Sequence, residues 1–529
     1  MYRIVEADAL PIVQKYAVSA LTAKQLACAS LSDEQIEELL DPAVVLHTSK
    51  ADCVMKCCER ILQAREKHEK IFVGGDYDAD GICSTAIMKY LLDRLGIENG
   101  YYIPDRFKEG YGLSAHTVEM VKSRGYDLII TVDNGVKAHE ALQKARDLGI
   151  EVIVTDHHRI EEEIEADLVV HPDYMEPEFE YLSGAGVALQ ISRNILGNDE
   201  LCNSLAAVAL IGDVMPLWKQ TRHIVKTGLS SLQRHEPHSL SALLYPGAAA
   251  DASSVSFQIV PKLNSLGRMN DISNVNTLIP YLLSNNPDVI SRFAAQINSV
   301  NDQRRRLSEI QTEQARRLCT GDGIELILDP SFHEGICGLA AGHLADELKK
   351  PVLVFAENGD LIKGSGRSVE GFDMFAFFSQ FTKLTAFGGH AMAVGLSLKK
   401  EDFAEFSRSV KEAFARENIV PQDPEKTAVK IGADEVHLQN IYDLYRLDPF
   451  PKELQDIAFA VPFGDAKIIY RSDKVIRYSV PNRYGGFEAV LYTRKKIRLP
   501  EQPEWMIGTL TVNRFRGQVT PQLIIDTIQ

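Results

Sequence analysis

The sequence predicts an α/β protein with parallel sheets, followed by a β-rich C-terminal region. From residue 71 onward, short apolar runs alternate with helical segments, which is typical of a parallel sheet covered by helices on both faces. A long polar segment at 284–320 predicts a single long helix. In the last hundred residues the short apolar runs are broken by Gly, Pro and Asn, which indicates a small barrel.

The elements of this fold are predicted in chain order. Residues 1–70 have the alternation of amphipathic helices. The first sheet is expected to have strands at 71–73, 128–132, 152–154 and 168–170, with helices at 82–95, 114–124, 137–148 and 201–214. After the long helix, we expect strands near 324–328 and 352–355, a helix near 336–349, and β-rich runs at 467–470, 487–492, 506–512 and 521–526.

The bulk composition limits the class of protein. At 529 residues the chain is long enough for roughly three domains. Met1–Lys15 carries acids without a long apolar run, and no stretch approaches 18 apolar residues, so we expect neither a signal peptide nor a membrane span. The eight cysteines lack zinc-ribbon spacing, and Cys83, Cys202 and Cys337 lie in apolar surroundings. A reduced, cytoplasmic protein is therefore predicted.

Net charge gives a mixed indication about nucleic acid. The value of −16 argues against a general nucleic-acid binder. Carboxylates that bind cations would account for part of this charge. The stretch 471–529 is different, with ten Lys/Arg against five Asp/Glu, a local balance of +5. The acidic net charge therefore does not exclude a nucleic-acid substrate.

Acidic and imidazole side chains follow the strands of the first sheet. Asp76, Asp78 and Asp80 follow the first strand, Asp133-Asn-Gly the second, and Asp156-His-His the third. The carboxyl ends of parallel strands lie along one edge, where open α/β sheets bind ligands. Such concentrated negative charge is unstable without cations, and mixed Asp/His ligation suits Mn²⁺ or Mg²⁺. Two such ions are the usual arrangement for phosphodiester hydrolysis.

Each of these signals has another reading when taken alone. The spacing of the first three aspartates also opens a calcium-binding EF-hand loop, but its twelfth position is Ile87 and a strand precedes it. Asp80 could serve only as the N-cap of helix 82–95. The Asp-Asn-Gly segment is a common turn, and the two histidines could be core residues. Their joint placement at strand ends favours a metal site.

These segments resemble the signatures of the DHH phosphoesterase superfamily, and further segments resemble its RecJ branch of bacterial single-strand-specific exonucleases. The segments that carry the resemblance stand in family order from about residue 50 to the C-terminus: Gly75–Gly81, Pro104–Arg106, Gly110–Leu113, Asp133–Gly135, Asp156–His158, Ile211–Leu217, Pro261–Arg268, His333–Gly335, Gly364–Ser368, Gly388–His390, Val512-Asn513 and Pro521–Ile525. Small-substrate DHH phosphodiesterases often carry His at the position of Gly74, which leaves Asp76 as the expected replacement ligand.

The resemblance implies a role for each matching residue. Asp78, Asp80, Asp133, His157 and Asp213 would bind two metal ions, Asp133 bridging them, with Asp76 and His158 completing the site. His158 would face the scissile phosphate, and Asp156 would orient a ligand. Arg106, Ser365 and Arg367 would surround a terminal phosphate. Arg268 and His390 are also implied in substrate binding. His171 and Asp173 are left unassigned.

The resemblance also implies a domain plan. A helical cap at 1–50 would precede a DHH catalytic domain at 51–218, and a helical connector at 219–322 would lead to a DHHA1 domain at 323–400. An OB-fold nucleic-acid-binding domain is expected at 425–529. Its aromatic residues Tyr470, Tyr478, Tyr484 and Phe487 could stack on bases or fill the barrel core, and the sequence leaves both open.

The implied activity is Mn²⁺- or Mg²⁺-dependent 5′-to-3′ hydrolysis of single-stranded DNA to mononucleotides in repair and recombination. A monomer is expected, with single-strand-binding protein and a helicase as partners. Two rival functions remain. A phosphodiesterase for cyclic dinucleotides or short oligonucleotides is disfavoured by the basic C-terminal region, which a small substrate would not need. A catalytically inactive DNA-binding scaffold is disfavoured because every metal carboxylate is present.

Overall fold

The computed structural model describes residues 2–105, 109–110, 112–417, 425–493, 499–515 and 517–529. The chain forms two compact units. The larger unit comprises Leu46–Met215 and His223–Asp423, and the smaller unit comprises Met1–Val45, Pro216–Arg222 and Pro424–Gln529. Both ends of the chain therefore belong to the smaller unit.

The strands and helices of the described residues are numbered here in chain order. The strands are β1 (Tyr2–Val5), β2 (Ile71–Gly74), β3 (Asn99–Tyr102), β4 (Leu128–Val132), β5 (Glu151–Thr155), β6 (Leu168–Val170), β7 (Glu325–Leu328), β8 (Val352–Asn358), β9 (Leu361–Arg367), β10 (Ala386–His390), β11 (Ala393–Lys399), β12 (Lys426–Lys430), β13 (Ile457–Pro462), β14 (Lys467–Arg471), β15 (Val475–Val480), β16 (Phe487–Tyr492), β17 (Trp505–Phe515) and β18 (Gln518–Ile528). The helices are α1 (Leu10–Tyr16), α2 (Ala20–Cys28), α3 (Asp33–Leu40), α4 (Asp52–Lys67), α5 (Ala79–Leu95), α6 (Ala115–Ser123), α7 (His139–Leu148), α8 (Gly184–Leu196), α9 (Glu200–Gly212), α10 (Lys219–Gln233), α11 (His238–Ser241), α12 (Ala252–Ser254), α13 (Val260–Arg268), α14 (Leu278–Leu282), α15 (Pro287–Leu318), α16 (Glu334–Leu348), α17 (Met374–Phe378), α18 (Phe403–Arg416), α19 (Leu438–Leu444) and α20 (Lys452–Gln455).

The first sheet of the larger unit is parallel, with strand order β3-β2-β4-β5-β6. Its central strands β2 and β4 are buried along their whole length, which agrees with the predicted uninterrupted apolar runs. The four predicted strands are present. Strand β3 was not predicted, because its sequence Asn-Gly-Tyr-Tyr is polar and it lies half-buried at the sheet edge. The chain order reverses between β2 and β4, so the topological switch point lies between their carboxyl ends.

The second sheet has strand order β10-β11-β9-β8-β7. Strands β7 and β8 are parallel and α16 packs on β8 and β9, as the predicted second α/β segment requires. The antiparallel strands β9, β11 and β10 were not predicted, because their glycine-rich sequences lack a clear apolar pattern. The other face of this sheet is covered by a phenylalanine-rich core that includes Phe355, Phe378 and Phe406.

Helix α15 is the predicted long helix. It has 32 residues and therefore a length of roughly 48 Å. Asn286 caps its N-terminus by accepting hydrogen bonds from the backbone N–H groups of Asp288 and Val289. Its buried face includes Ile290 and Ile297 near the start and Ala315 near the end. Between these ends the buried residues are polar, namely Asn301, Ser308, Gln311 and Thr312, so the apolar stripe of the helix is interrupted in its middle.

The smaller unit contains an eight-stranded sheet with the order β1-β12-β13-β17-β18-β16-β15-β14. The prediction that residues 1–70 are entirely helical is therefore wrong at the start, where β1 pairs in parallel with β12. Strands β13 and β14 are separated by four residues, yet they lie at different places in the strand order. Among the described residues no pairing joins β14 back to β13, so the predicted barrel is not closed.

Two further expectations can be compared with the described residues. None of the helices in the described ranges is both long and apolar enough to cross a bilayer. All eight cysteines are free thiols, and Cys83, Cys202 and Cys337 are buried, in agreement with the apolar sequence around each of them.

Candidate metal centre

The loop after β2 carries the first acidic cluster at the switch point. Asp78 ends the loop as the N-cap of α5, because its Oδ1 accepts from the backbone N–H groups of Asp80 (3.0 Å) and Gly81 (3.2 Å). A carboxylate is favourable at this positive end of a helix. Asp76 and Asp80 are 1% and 2% exposed. The loop therefore places two buried carboxylates beside the helix-capping one.

Asp80 is held by a second helix. Its Oδ1 accepts from the Ser183 hydroxyl (2.9 Å) and the Ala185 N–H (2.8 Å), and its Oδ2 accepts from the Gly184 N–H (2.7 Å). These donors form the N-terminus of α8, with Ser183 as its cap. The interpretation of Asp80 as the cap of the helix that follows it is therefore wrong, since Asp78 has that position. Each carboxylate oxygen has two lone pairs, so Asp80 keeps acceptor capacity for a cation.

Asp133 lies at the end of β4 in a left-handed backbone conformation, with φ of 61°. It is 2% exposed and packs against Gly184, where an added Cβ would lie 2.5 Å from the Asp133 Cβ. Only glycine therefore allows α8 to approach so closely. The next residue, Asn134, donates to the Gly74 carbonyl (3.0 Å) and accepts from the Leu113 N–H (3.1 Å). Asn134 thus ties the loop to its neighbours and leaves Asp133 directed into the cluster.

The Asp156-His157-His158 segment follows β5. Asp156 is 1% exposed, and its Oδ1 accepts from His158 Nδ1 at 2.8 Å, while its Oδ2 accepts from the Val136 N–H at 3.0 Å. His157 Nε2 lies 3.2 Å from Asp133 Oδ1 and 3.6 Å from both Asp80 Oδ2 and Asp213 Oδ2. His157 is therefore at the centre of the carboxylates, and Asp156 orients its neighbour.

Three overlapping groups of side chains offer ligand atoms within 4.8 Å of one another. The groups are Asp76, Asp78 and Asp133; Asp133, His157 and His158; and Asp80, His157 and Asp213. Asp133 belongs to two of the groups, as expected of a bridging ligand. Oxygen and imidazole donors of this kind suit Mn²⁺ and Mg²⁺. The geometry therefore brings together every residue predicted to bind metal.

The electrostatics of the cluster follow from its burial. Burial and the charge of Asp80 raise the pKa of Asp133 well above its usual range. The same two causes raise the pKa of Asp213 to about 7. Partial burial opposes charge on His158, but the hydrogen bond and charge of Asp156 outweigh it and raise its pKa to about 9. The carboxylates repel one another without a cation between them, whereas His158 is stabilised as a cation.

Three of the residues predicted to bind substrate, Ser365, Arg367 and His390, lie on the second sheet. Strand pairing places Arg367 of β9 opposite Ala393 of β11, and Ala393 opposite His390 of β10. Arg367 and His390 are therefore two strands apart at the same level. An added Cβ at Gly338 of α16 would lie 2.8 Å from the Ser365 hydroxyl, so Ser365 faces this helix. His390 is exposed, and Arg367 is half-buried with a hydrogen bond to the Gly366 carbonyl.

Arg268, another residue predicted to bind substrate, lies beside the metal loop. It is the last residue of α13 and follows Gly267, where an added Cβ would lie 2.7 Å from the Tyr77 carbonyl oxygen. The end of α13 therefore packs directly on the loop that carries the acidic cluster. Arg106, which was also predicted to bind substrate, lies outside the described residues.

Sequence reasoning missed the residues that support the cluster. Ser183–Ala185 hold Asp80, and their Ser-Gly pattern before an apolar segment indicates a helix start but not the partner that the start binds. His171 was left unassigned. It is 2% exposed, and its ring nitrogens form hydrogen bonds with the His158 carbonyl oxygen (2.9 Å) and the Asp173 N–H (3.1 Å). His171 therefore fixes the backbone of the segment that carries His157 and His158.

Comparison with known proteins agrees with this geometry. The model of the DHH family, N-terminal domain, matches residues 70–212, and that of the DHHA1 domain matches residues 322–416. A Salmonella typhimurium protein named single-stranded-DNA-specific exonuclease RecJ is 33% identical over 89% of this chain and 89% of its own length. The chain belongs to the RecJ family. The RecJ protein of Bacillus subtilis is 31% identical over 91% of this chain, which spans 65% of that relative.

The fold is also that of a solved RecJ structure. The crystal structure of Thermus thermophilus RecJ in complex with Mn²⁺ superposes with a TM-score of 0.85, at 24% identity, over all of this chain and 79% of that one. The predicted α/β fold with DHH and DHHA1 domains is thereby confirmed.

Proposed function

We propose that this chain is a divalent-metal-dependent exonuclease that hydrolyses single-stranded DNA from its 5′ end to mononucleotides. The observation that carries the proposal is the convergence of five aspartates and two histidines at the switch point of the first sheet. Together with membership of the RecJ family, this donor set supports phosphodiester hydrolysis.

Two Mn²⁺ or Mg²⁺ ions fit this donor set. Asp76, Asp78 and Asp133 would hold one ion, and Asp80, His157 and Asp213 would hold the other with Asp133 between them. Bound ions would neutralise the acidic cluster, lower the pKa of a coordinated water and polarise the scissile phosphate. The raised pKa values of Asp133 and Asp213 support this assignment, since burial and the charge of the neighbouring carboxylates disfavour their ionised forms.

The chain's own residues orient the site and supply a positive charge. The N-terminus of α8 holds both oxygens of Asp80, so the carboxylate does not rotate away from the cluster. Asp156 accepts from His158 Nδ1, which leaves Nε2 of that ring to donate to a phosphate oxygen or to the departing oxygen. We therefore assign His158 the role of electrostatic and proton-donating group, with Asp156 as the residue that positions it.

Recognition of the 5′ end would come from the second sheet and α13. Arg268, Ser365, Arg367 and His390 would contact the substrate, joined by Arg106. A guanidinium fork matches the oxygens of a terminal phosphate, and a serine hydroxyl can donate to a third oxygen. The exposed face of β10 and β11 at this level carries Gly388 and Gly395 without side chains, which leaves room for a sugar–phosphate chain.

A strand-holding surface is proposed on the sheet of the smaller unit, which corresponds to the expected OB-fold domain at 425–529. Tyr470 and Tyr484 are 51% and 54% exposed and are available for stacking on bases, whereas Tyr478 and Phe487 are buried in the core. The remaining domain boundaries are proposed at 1–50, 51–218, 219–322 and 323–400. Of the ten basic residues between 471 and 529, five lie outside the described residues.

We further propose a monomeric enzyme of the cytoplasm that acts in DNA repair and recombination. Free thiols throughout the chain support a reducing compartment. Single-strand-binding protein and a helicase are the proposed partners, because an enzyme that consumes single strands depends on strand opening by another protein. Light scattering of the purified chain tests the monomer, and co-purification tests the partners.

One assay tests the activity. The protein is incubated with Mn²⁺ or Mg²⁺ and single strands labelled at the 5′ or 3′ end, with duplex DNA and cyclic dinucleotides as controls. We expect release of labelled mononucleotide from the 5′ end, abolished by chelator. Cleavage confined to cyclic or very short substrates would instead indicate a small-substrate phosphodiesterase. Binding of strands without cleavage would indicate an inactive scaffold.

A further inference from the structure

His333 connects three segments at the start of α16. Its backbone N–H donates to Gln311 Oε1 of α15 (2.9 Å), and its Nδ1 accepts from the Gly335 N–H (3.0 Å). The proton of the neutral ring therefore lies on Nε2. Nε2 lies 3.2 Å from Asp271 Oδ1 and donates to it.

The segment that carries Asp271 is attached to the DHH domain. Asn270 donates from Nδ2 to Asp105 Oδ1 at 2.6 Å. The Asn276 side chain accepts from the Ile103 N–H (2.8 Å) and donates to the Ile103 carbonyl (2.9 Å), so it extends the hydrogen bonding of β3 beyond the strand. The acceptor of the His333 ring is therefore fixed to the edge of the first sheet.

Glu334 and Gly335 begin α16, and together with His333 they form the turn at the start of this helix. These two residues make the other contacts. Glu334 forms an ion pair with Lys363 of β9 (2.9 Å) and accepts from Asn358 Nδ2 (3.0 Å). Gly335 lies against the carbonyl oxygen of Arg268, and any Cβ at this position would overlap that oxygen. The turn therefore contacts Arg268 on one side and, on the other, the strand that carries the phosphate-binding residues.

We propose that the turn His333–Gly335 is a spacer that sets the position of the terminal-phosphate groups relative to the metal centre. The proposal rests on the proposed function, because it concerns the same substrate. Ser365 and Arg367 belong to the second sheet, whereas Arg268 is the last residue of the helix that packs on the metal loop through Gly267. The turn has contacts to both, so it determines whether these groups reach one phosphate together. His333 and Asp271 are positioning residues, since they act through the groups that they hold apart.

Three substitutions test the spacer in the full chain. His333→Asn retains a side-chain oxygen that can cap α16, but this shorter side chain does not reach Asp271. Asp271→Ala removes the acceptor from the other side, and Asp271→Asn keeps an acceptor oxygen as the conservative variant. The assay measures kcat and KM with Mn²⁺ on single strands of one sequence that carry either a 5′-phosphate or a 5′-hydroxyl.

We expect His333→Asn and Asp271→Ala each to raise KM for the 5′-phosphorylated strand about fivefold, with little change for the 5′-hydroxyl strand, because one hydrogen bond is lost. The kcat is expected to stay within about twofold, since the metal ligands are unchanged. In the double variant, KM for the 5′-phosphorylated strand should rise no more than in either single variant. Asp271→Asn should keep the wild-type ratio of the KM values for the two strands.

Asn286→Ala is the matched control, because it removes the cap of α15 without touching the turn. It should lower Tm and leave the ratio of the two KM values unchanged. Equal losses on both strands in His333→Asn would overturn the spacer and indicate a general effect on folding. If His333→Asn keeps the wild-type ratio of the two KM values, the spacer alone would be overturned. A wild-type protein without that preference would overturn the phosphate pocket and the spacer together.

Discussion

The carboxyl edge of the first sheet and the β9–β11–β10 side of the second sheet differ in burial and in charge. Asp76, Asp80 and Asp133 at the first edge are at most 2% exposed and repel one another. The second carries Arg367, half-buried with a hydrogen bond to its own strand, and the exposed His390. Without a cation the first is therefore destabilised by repulsion between its carboxylates, whereas the second carries no such repulsion.

Because of this difference, we expect the first edge to determine bond cleavage and the second to determine which strand ends bind. Changes at the buried acidic edge should affect bond cleavage and metal binding for every substrate. Changes at the exposed edge should alter which strand ends are bound and leave the metal centre intact. The predictions below test this division, beginning with the residue on which the acidic edge most depends.

Asp133→Asn should lower kcat on the order of 10³-fold, because a metal centre contributes several kcal/mol of transition-state stabilisation. Asn tolerates the left-handed backbone at this position, so the turn should persist. The metal-free variant should melt at least as high as wild type, since a neutral amide replaces a buried carboxyl whose ionised form is disfavoured by burial and by its neighbours. Calorimetry with and without Mn²⁺ measures the second effect. A variant with wild-type kcat, or one whose Tm still rises with Mn²⁺ as in wild type, would contradict the bridging role.

The same division explains how much of the site was predictable. Asp133 and the loop at 76–80 follow uninterrupted apolar runs, and parallel strands bring such loops to one edge irrespective of the details of packing. The convergence of the residues that follow these strands could therefore be predicted from strand ends alone. Asp213 follows α9 and was implied only by the family resemblance. The supporting contacts could not, because Ser183 lies about a hundred residues from Asp80 and no sequence period relates the two.

The second sheet was harder to predict for a physical reason. Strands β9 to β11 contain Gly364, Gly366, Gly388, Gly389 and Gly395, which remove the alternation of apolar and polar side chains that indicates a strand. The positions of Ser365 and His390 were therefore implied by family resemblance and not by pattern. The N-terminal strand β1 was missed for another reason, since its pairing with β12 joins residues more than four hundred positions apart.

Asp156→Asn should lower kcat by about 10- to 100-fold, the usual cost of losing a residue that orients a site group. The amide no longer stabilises the His158 cation, so its pKa should fall from about 9. NMR titration of the imidazole measures that change. Asp167→Asn is the matched control, because Asp167 also accepts a backbone hydrogen bond, from the Val152 N–H (2.8 Å), away from the cluster. Similar losses in both variants would argue against a specific role for Asp156.

Arg367→Lys should raise KM for 5′-phosphorylated strands about tenfold while kcat stays near wild type, because lysine keeps the charge but loses the fork. Manganese affinity should be unchanged. Arg317→Lys on the exposed face of α15 serves as the control. A fall in kcat with unchanged KM would place Arg367 at the chemical step and would break the division between the two edges.

The smallest expected effect is the pH dependence of metal binding. Asp213 must lose its proton to bind a cation, and its pKa in the metal-free protein is about 7. The apparent affinity for Mn²⁺ is therefore full well above that pKa and falls as protons compete below it. Between about pH 8 and about pH 6.5 one such group lowers the affinity about fourfold. Isothermal titration calorimetry measures the affinity, and heats in buffers of different ionisation enthalpy count the released protons.

Asp213→Asn should flatten this dependence and weaken binding at high pH, since the amide neither titrates nor carries charge. The protons displaced from Asp133, whose pKa is also raised, would remain in the variant and give a residual slope. A wild-type affinity that does not vary over this range would mean that the acidic edge is already ionised without metal. In that case the buried carboxylates would need another source of compensation, and the contrast between the two edges would be smaller than their burial indicates.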